Sequence, residues 1–344
     1  MGKVPALRIA GGVPKRIACL LGAGFSYPAG VPLARDLFRQ SWVLALSERS
    51  KKRFAAVLEH YAAWQDAHPQ EHAEKYMALL FTGKAGTNPP RWEWVVEYIG
   101  AVIASAHTPS ASLNRNPRYS NRVNRPLFCD VHRHFWDALI GVSNDISVIT
   151  TNYDILVERL LRHRPMQRPK SPGCFYGGLA RPQILTGAPQ PFSRWAPDRT
   201  IEMTGSIPVF KLHGSLNWAI SGKSILAYQD MRAAFRHGGE AAIIPPVPEK
   251  SVPVWLQEIW KEAETALSSA EVWIVCGYSL PDYDTHVRQL LQSAGGTRSL
   301  PVLLLSPEAE DLVKKWEALL PLCKPIPFPG LPEGTNSLAG WLEW

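Results

Sequence analysis

The chain has 344 residues, of which 46% are hydrophobic and only 19% charged, so a sizeable core is possible and a disordered chain is excluded. Its net charge of +7 helps attract anions, but over this length it is too modest to make the chain alone a nucleic-acid binder. Five cysteines, Cys19, Cys129, Cys174, Cys276 and Cys323, stand far apart with no CxxC pair, which fits reduced thiols in a cytoplasmic protein and provides no structural zinc ribbon.

Residues 16–21 form the first strong element, an apolar run that ends in Gly22-Ala23-Gly24 and then Ser26. A buried parallel strand followed by a tight turn reads this way. Residues 36–48 predict a helix with Leu37, Phe38, Trp42, Val43 and Leu46 on one stripe. The pattern stays helical over 51–98, with Phe54, Val57, Leu58, Tyr61 and Trp64 spaced at three and four, and 92–106 is a further apolar helix. The block 51–106 is therefore expected to be an inserted helical module. Its Trp64, Trp92 and Trp94 make it a candidate contact surface. Residues 109–125, with Arg115, Arg118, Arg122 and Arg125, read as a basic loop.

A helix is expected over 127–142, then a strand over 146–151 that ends on Asn152-Tyr153-Asp154, then a helix over 155–162. Residues 164–205 are rich in Pro, Gly and Arg and read as an irregular insertion. Residues 209–213 look like a strand closed by Gly214-Ser215. A helix over 253–269 leads to a strand at 272–276, which ends in Gly277-Tyr278-Ser279. Residues 284–293 are helical, 302–305 are the last strand, and 307–319 a helix with Pro in its first turn. Residues 321–344 are expected to be a tail. No apolar run approaches the roughly 20 residues of a membrane helix, and the first residues lack the apolar stretch of a signal peptide.

Strands that alternate with helices predict a mostly parallel sheet with helices on both faces. Ligands of such sheets bind beyond the carboxyl ends of the strands. The residues with chemistry fall at those ends: Gly22–Ser26, Asn152–Asp154, His213–Ser215, Gly277–Ser279 and Ser306. Gly22-Ala23-Gly24 suits a phosphate-cradling turn, because glycine lets the backbone come close and the helix start supplies free N–H groups. The dehydrogenase pattern GxGxxG fails, since Tyr27 stands where the third glycine belongs. Taken singly, Asp154 reads equally well as a helix cap, Asn152 as a turn residue and His213 as a structural histidine. His132 and His134 point to different faces of one helix, a poor metal site.

The ordered set is more telling than any member. Gly22-Ala-Gly-Phe-Ser26, Ala29-Gly-Val-Pro32, Thr-Asn-Tyr-Asp154, Leu-His-Gly-Ser215 and Cys-Gly-Tyr-Ser279 together resemble the sirtuin-like family, most closely its relatives in bacterial anti-phage defence. The resemblance spans about residues 16 to 320. It implies a Rossmann-like NAD-binding domain over 1–320 that carries the two insertions. Gly22, Ala23, Gly24 and Ser26 match the NAD-binding turn, and Arg35 matches the arginine that follows it. Asn152 and Asp154 match the pair beside the nicotinamide and its ribose, and His213 the catalytic histidine. Gly214 and Ser215 follow that histidine, Gly277 and Ser279 match the turn on the dinucleotide, and Ser306 falls near the adenosine ribose.

Two departures narrow the expectation. The paired cysteines of the deacylase zinc ribbon are missing, and Leu33-Ala34 stands where the family's deacylases carry Asp-Phe. The resemblance then implies NAD⁺ hydrolysis without a metal: Asn152 orients the ribose or the water, Asp154 holds the carboxamide, and His213 is the general base. An imidazole suits that task near neutral pH. A non-catalytic NAD or ADP-ribose sensor, and a zinc-free deacylase or ADP-ribosyltransferase, are the alternatives. Because uncontrolled NAD⁺ loss is toxic, a homo-oligomer or a separate regulatory protein, Argonaute-like or an ATPase, is expected to hold the enzyme in check.

Overall fold

The computed structural model describes residues 14–38, 48–106, 130–162, 174–179, 207–221, 224–227, 240–245 and 252–331. The expected arginine loop at 109–125, most of the helix expected over 36–48 and most of the irregular insertion at 164–205 lie outside the described residues. Within them, the centre is a seven-stranded sheet whose strand pairings are all parallel. Its strands are β1 (Arg16–Leu21), β2 (Asp145–Thr150), β3 (Cys174–Tyr176), β4 (Ile207–Lys211), β8 (Val272–Cys276), β9 (Pro301–Ser306) and β10 (Lys324–Pro329). They lie in the order β10-β9-β8-β1-β2-β4-β3. β1 and β8 are buried on both faces, which is why each reads as an unbroken apolar run.

Three antiparallel strands, β5 (Gly214–Ser221), β6 (Ser224–Ala227) and β7 (Glu240–Ile243), form a second sheet in the order β6-β5-β7. The sequence reading misses this sheet. Residues 214–219 of β5 are buried on both faces, so the alternation that marks a half-buried strand is absent. β10 is missed for another reason. Pro325, Pro327 and Pro329 argue against a central strand, and the structure places them on the edge of the sheet, within the segment expected to be a tail. The Lys324 N–H donates inward to Leu300 at 2.8 Å.

Around the main sheet pack α5 (Asp130–Val142), α6 (Leu156–Arg162), α7 (Val254–Ser269), α8 (Thr285–Gly295) and α9 (Ala309–Leu319). The short α1 (Ala23–Ser26) follows β1, and a left-handed Gly30 closes the 3₁₀ turn after it. The helices α2 (Glu48–Ala67), α3 (Ala73–Phe81) and α4 (Trp92–Ala106) have a core of their own, built around Phe54, Val57, Tyr76, Val95, Tyr98 and Ile99. That core continues into the α/β body through Ile155, Leu216 and Ile243.

The tryptophans of this helical block pack against it to different degrees: Trp64 is buried, and Trp92 and Trp94 are half-buried. Trp64 is buried and stacks on His68, with ring centroids 4.9 Å apart. Trp92 meets Phe81 edge-on at 5.2 Å, and Arg53 lies over Trp94 at 5.7 Å. The three helices use their aromatic stripes to build their own interior. No helix of the described residues is long and apolar enough to cross a membrane.

Candidate functional site

Strand register brings the motifs together. Cys276 pairs with Leu21, Leu21 with Thr150, and Thr150 with Lys211, so β8, β1, β2 and β4 end in one row across the sheet. The next residues of each strand form one rim: Gly277, Gly22, Thr151 and Leu212. Asn152 and His213 follow directly.

The first rim contact explains the glycines. Gly277 has φ +63°, and a Cβ there would lie 2.1 Å from the Phe25 nitrogen. A Cβ on Gly22 or Gly24 would in turn lie 2.5 or 2.7 Å from the backbone of Gly277. The N–H of Gly22 donates to the Cys276 carbonyl at 3.0 Å, and that of Gly24 to the Gly277 carbonyl at 2.9 Å. The β1 and β8 turns thus press backbone against backbone, and this approach alone demands glycine on both sides. His132, buried beneath the turn, lies 2.5 Å through Nε2 from the Phe25 carbonyl. Burial lowers its pKa, so the ring is neutral and Nε2 donates.

Asn152 is fixed by the same turn. Its Nδ2 donates to the Gly22 carbonyl at 2.8 Å and to Ser26 Oγ at 3.1 Å. Both amide hydrogens are therefore committed. Thr150 Oγ1 accepts from the Asn152 N–H at 3.1 Å and donates to the Leu21 carbonyl at 2.9 Å. Thr150→Val keeps the shape and removes that hydroxyl. The buried N–H it strands should lower stability by about 1–3 kcal/mol in urea unfolding.

Asp154 behaves as a cap: its Oδ1 accepts from the Leu156 N–H at 2.8 Å, at the start of α6. Behind it lies a buried polar chain. Lys211 Nζ donates to the Asp154 carbonyl and lies 3.1 Å from Glu158 Oε1. Tyr176 donates to the same Glu158 oxygen at 2.9 Å, and burial followed by the Glu158 charge pushes its hydroxyl pKa up, so the proton stays. Asn217 donates to Tyr176 at 3.0 Å, and Ser215 Oγ to Asn217 at 2.6 Å. Ser215 thus faces this chain.

His213 lies just beyond β4. Gly214 follows at φ +80°, where a Cβ would meet the Ala242 carbonyl oxygen at 1.9 Å. The His213 carbonyl accepts from Ile244 at 3.0 Å, and Tyr153 donates to the Ile244 carbonyl at 2.8 Å. His213 Nε2 lies 3.4 Å from Asp284 Oδ1, both side chains buried. Asp284 is the residue that the sequence reading misses. An aspartate at a helix start reads as a cap, and its partner His213 lies in a turn far away in the sequence.

These residues line a cavity of about 150 Å³ between the strand ends and the helical block. Ala23, Asn152, Asp154, His213, Gly277 and Ser279 are on its wall, with Asp284. The other side is Val31, Pro32, Ala34, Leu37, Met77 and Ile103, with Glu74. Glu74 accepts from Tyr283 at 2.8 Å and so joins α3 to the loop before α8. The wall carries three carboxylates and, among the described residues, no Lys or Arg. Gly22 and Ser26 act from behind the wall, through Asn152. Arg35 lies off it, largely exposed and 3.8 Å from Asp36, and Ser306 accepts from the Glu308 N–H at 3.2 Å near the start of α9. No group of three or more His, Cys, Asp or Glu among the described residues could hold a metal ion.

A family model described as the SIR2-like domain matches residues 146–319. Among solved structures the chain is similar to a Sir2 homologue in complex with NAD, at 15% identity and a TM-score of 0.39, over 96% of this chain and 88% of that one. It is similar to a structure on the basis of sirtuin substrate affinity, at 15% identity and a TM-score of 0.38, over 96% and 94%. It is also similar to a mutant Sir2 homologue in complex with ADP-ribose, at 15% identity and a TM-score of 0.37, over 96% and 91%. No curated protein matches the sequence.

Proposed function

The chain belongs to the SIR2-like domain family, and from that premise we propose that it is an NAD⁺ hydrolase that cleaves the nicotinamide–ribose bond. NAD⁺ and water give nicotinamide, ADP-ribose and one proton. The observation that carries this reading is the cavity wall. It is lined by Asn152 and His213 and by the acidic residues Glu74, Asp154 and Asp284, with no Lys or Arg among the described residues. Such a wall suits a cationic nicotinamide ring and the positive charge that spreads onto the ribose as the bond breaks.

Each residue then has a task. Asp154 uses the carboxylate oxygen not committed to α6 to accept from the carboxamide. Asn152 orients the ribose or the attacking water through Oδ1. His213 takes the proton of a ribose hydroxyl or of water. The Gly22–Ser26 turn, with Gly277 and Ser279, supports the rest of the dinucleotide. The part of Arg35 and Ser306, both off the cavity wall, is confined to the outer reaches of that ligand.

Water as acceptor is favoured by Ala34, which lines the cavity with a single methyl group where the family's deacylases carry phenylalanine. In this reading residues 1–320 are one NAD-binding domain, and the helical block forms one wall of its site. Control by a homo-oligomer or by a separate regulatory protein, in an antiviral role based on NAD⁺ depletion, belongs to the same proposal.

The test is nicotinamide release from NAD⁺ by purified protein, alone and with candidate triggers such as phage lysate. Release without added acyl-peptide supports hydrolysis. Tight binding with no release under any condition would make the protein a sensor, and release only with acyl-lysine peptide would make it a deacylase.

A further inference from the structure

We infer that Asp284 is the positioning residue for His213. It fixes which imidazole nitrogen carries the hydrogen and leaves the other free to take a proton. The inference rests on the hydrolase reading for its consequence but not for its geometry.

Four observations meet at Asp284. Its Oδ1 lies 3.4 Å from His213 Nε2, with side-chain exposures of 5% and 6%. Its Oδ2 accepts from the Tyr278 hydroxyl at 2.9 Å, which leaves Oδ1 turned to His213. Burial, then the Asp284 charge, pushes the Tyr278 hydroxyl pKa well up, and it remains a donor. Asp284 also occupies the N-cap position of α8 and makes no side-chain capping bond there. Asp154, four residues after Thr150, caps its helix in the ordinary way. An aspartate that gives up a cap worth about 1 kcal/mol is held for another task.

The chain bends to hold it. Leu280, buried between Tyr278 and Asp284, adopts φ +52°, a conformation that L-residues other than glycine avoid. Arg288 donates to the Leu280 carbonyl at 3.3 Å and pairs with Asp282 at 3.2 Å, so the loop is tied down from α8.

A buried carboxylate beside Nε2 selects the tautomer with hydrogen on Nε2. The lone pair then sits on Nδ1, which is the nitrogen that accepts the proton during cleavage. The resulting imidazolium is paired with Asp284 at once, and the contact tightens as the charge appears. An asparagine at 284 reverses this order. Its amide donates to Nε2, moves the hydrogen to Nδ1 and removes the base.

The experiment uses the full chain with ¹⁵N-labelled histidine, His213 being assigned by comparison with His213→Gln. Wild type should show the Nε2–H tautomer. Asp284→Asn should lose it, and its kcat for nicotinamide release should fall by about 10²–10³-fold with KM within about threefold. Asp284→Glu should restore the Nε2–H tautomer and part of the rate. Should Asp284→Asn fail to fold, Tyr278→Phe retains the carboxylate and frees one of its oxygens. It should then blur the tautomer signal and lower kcat about tenfold, the cost of one lost hydrogen bond to a charged group. If wild type cleaves NAD⁺ and Asp284→Asn matches it in tautomer and rate, the positioning role is wrong and the hydrolase stands. If wild type never cleaves but Asp284→Asn shifts the tautomer, the hydrolase reading falls and the pairing stands.

Discussion

Replacement of His213 by alanine should lower kcat for nicotinamide release by about 10²–10⁴-fold while the protein stays folded. The magnitude is that of one positioned general base. His213 meets three conditions for the role. It stands on the cavity wall just beyond β4, it is buried, and a carboxylate lies beside Nε2. Its backbone is held separately, by the Ile244 N–H, so truncation of the ring leaves that hydrogen bond intact. Asn152→Ala should show a comparable loss, since its two donors tie the side chain to Gly22 and Ser26. Circular dichroism melts and steady-state kinetics of both variants decide the matter. If both cleave as wild type does, the chemistry lies elsewhere.

The second large effect concerns stability. Lys211→Met leaves Glu158 buried without its cation, and Glu158→Gln strands Lys211. Each should cost about 3–5 kcal/mol, because a buried charge that loses its partner keeps its desolvation penalty. In thermal melts that corresponds to a drop on the order of 10 °C. The pair is 1% and 2% exposed, so solvent offers little relief. Glu158 Oε2 already lacks a hydrogen-bond partner in the structure, which makes the carboxylate the more vulnerable member. The double variant Lys211→Met, Glu158→Leu should regain much of the loss, since it removes both charges together. A double-mutant cycle in urea measures that coupling, and simple additivity would contradict it. Lys211 also holds the Asp154 carbonyl, so the single variants should weaken ligand binding beyond the loss of stability.

The sheet was legible where burial on both faces makes an apolar run, as in β1 and β8, or where a strand ends on polar residues, as at Asn152. Its register follows from parallel pairing, and with it the gathering of Gly22, Asn152, His213 and Gly277 on one rim. β5 and β10 were not legible, one because burial on both faces hides the alternation and the other because proline masks the strand. The roles behind the rim were hidden for a third reason. Asp154 and Asp284 both stand at helix starts, and only the folded structure separates the one that caps α6 from the one that turns to His213. The glycines of the β1 turn looked like room for a phosphate. Much of their necessity is the contact with Gly277.

The prolines of β10 also bear on how copies of the chain can meet. In a strand, alternate residues point their backbone groups to the same side, and Lys324 points its N–H inward to the sheet. Pro325, Pro327 and Pro329 therefore direct their nitrogens outward, where none can donate. A neighbouring strand laid along this border would find acceptors and no donors. The sheet cannot be continued there from one subunit into the next, and fibre-like growth is blocked on that side. A second copy that meets this border has to do so through side chains, helices or loops, where contacts can be made and broken without a strand being torn from its ladder.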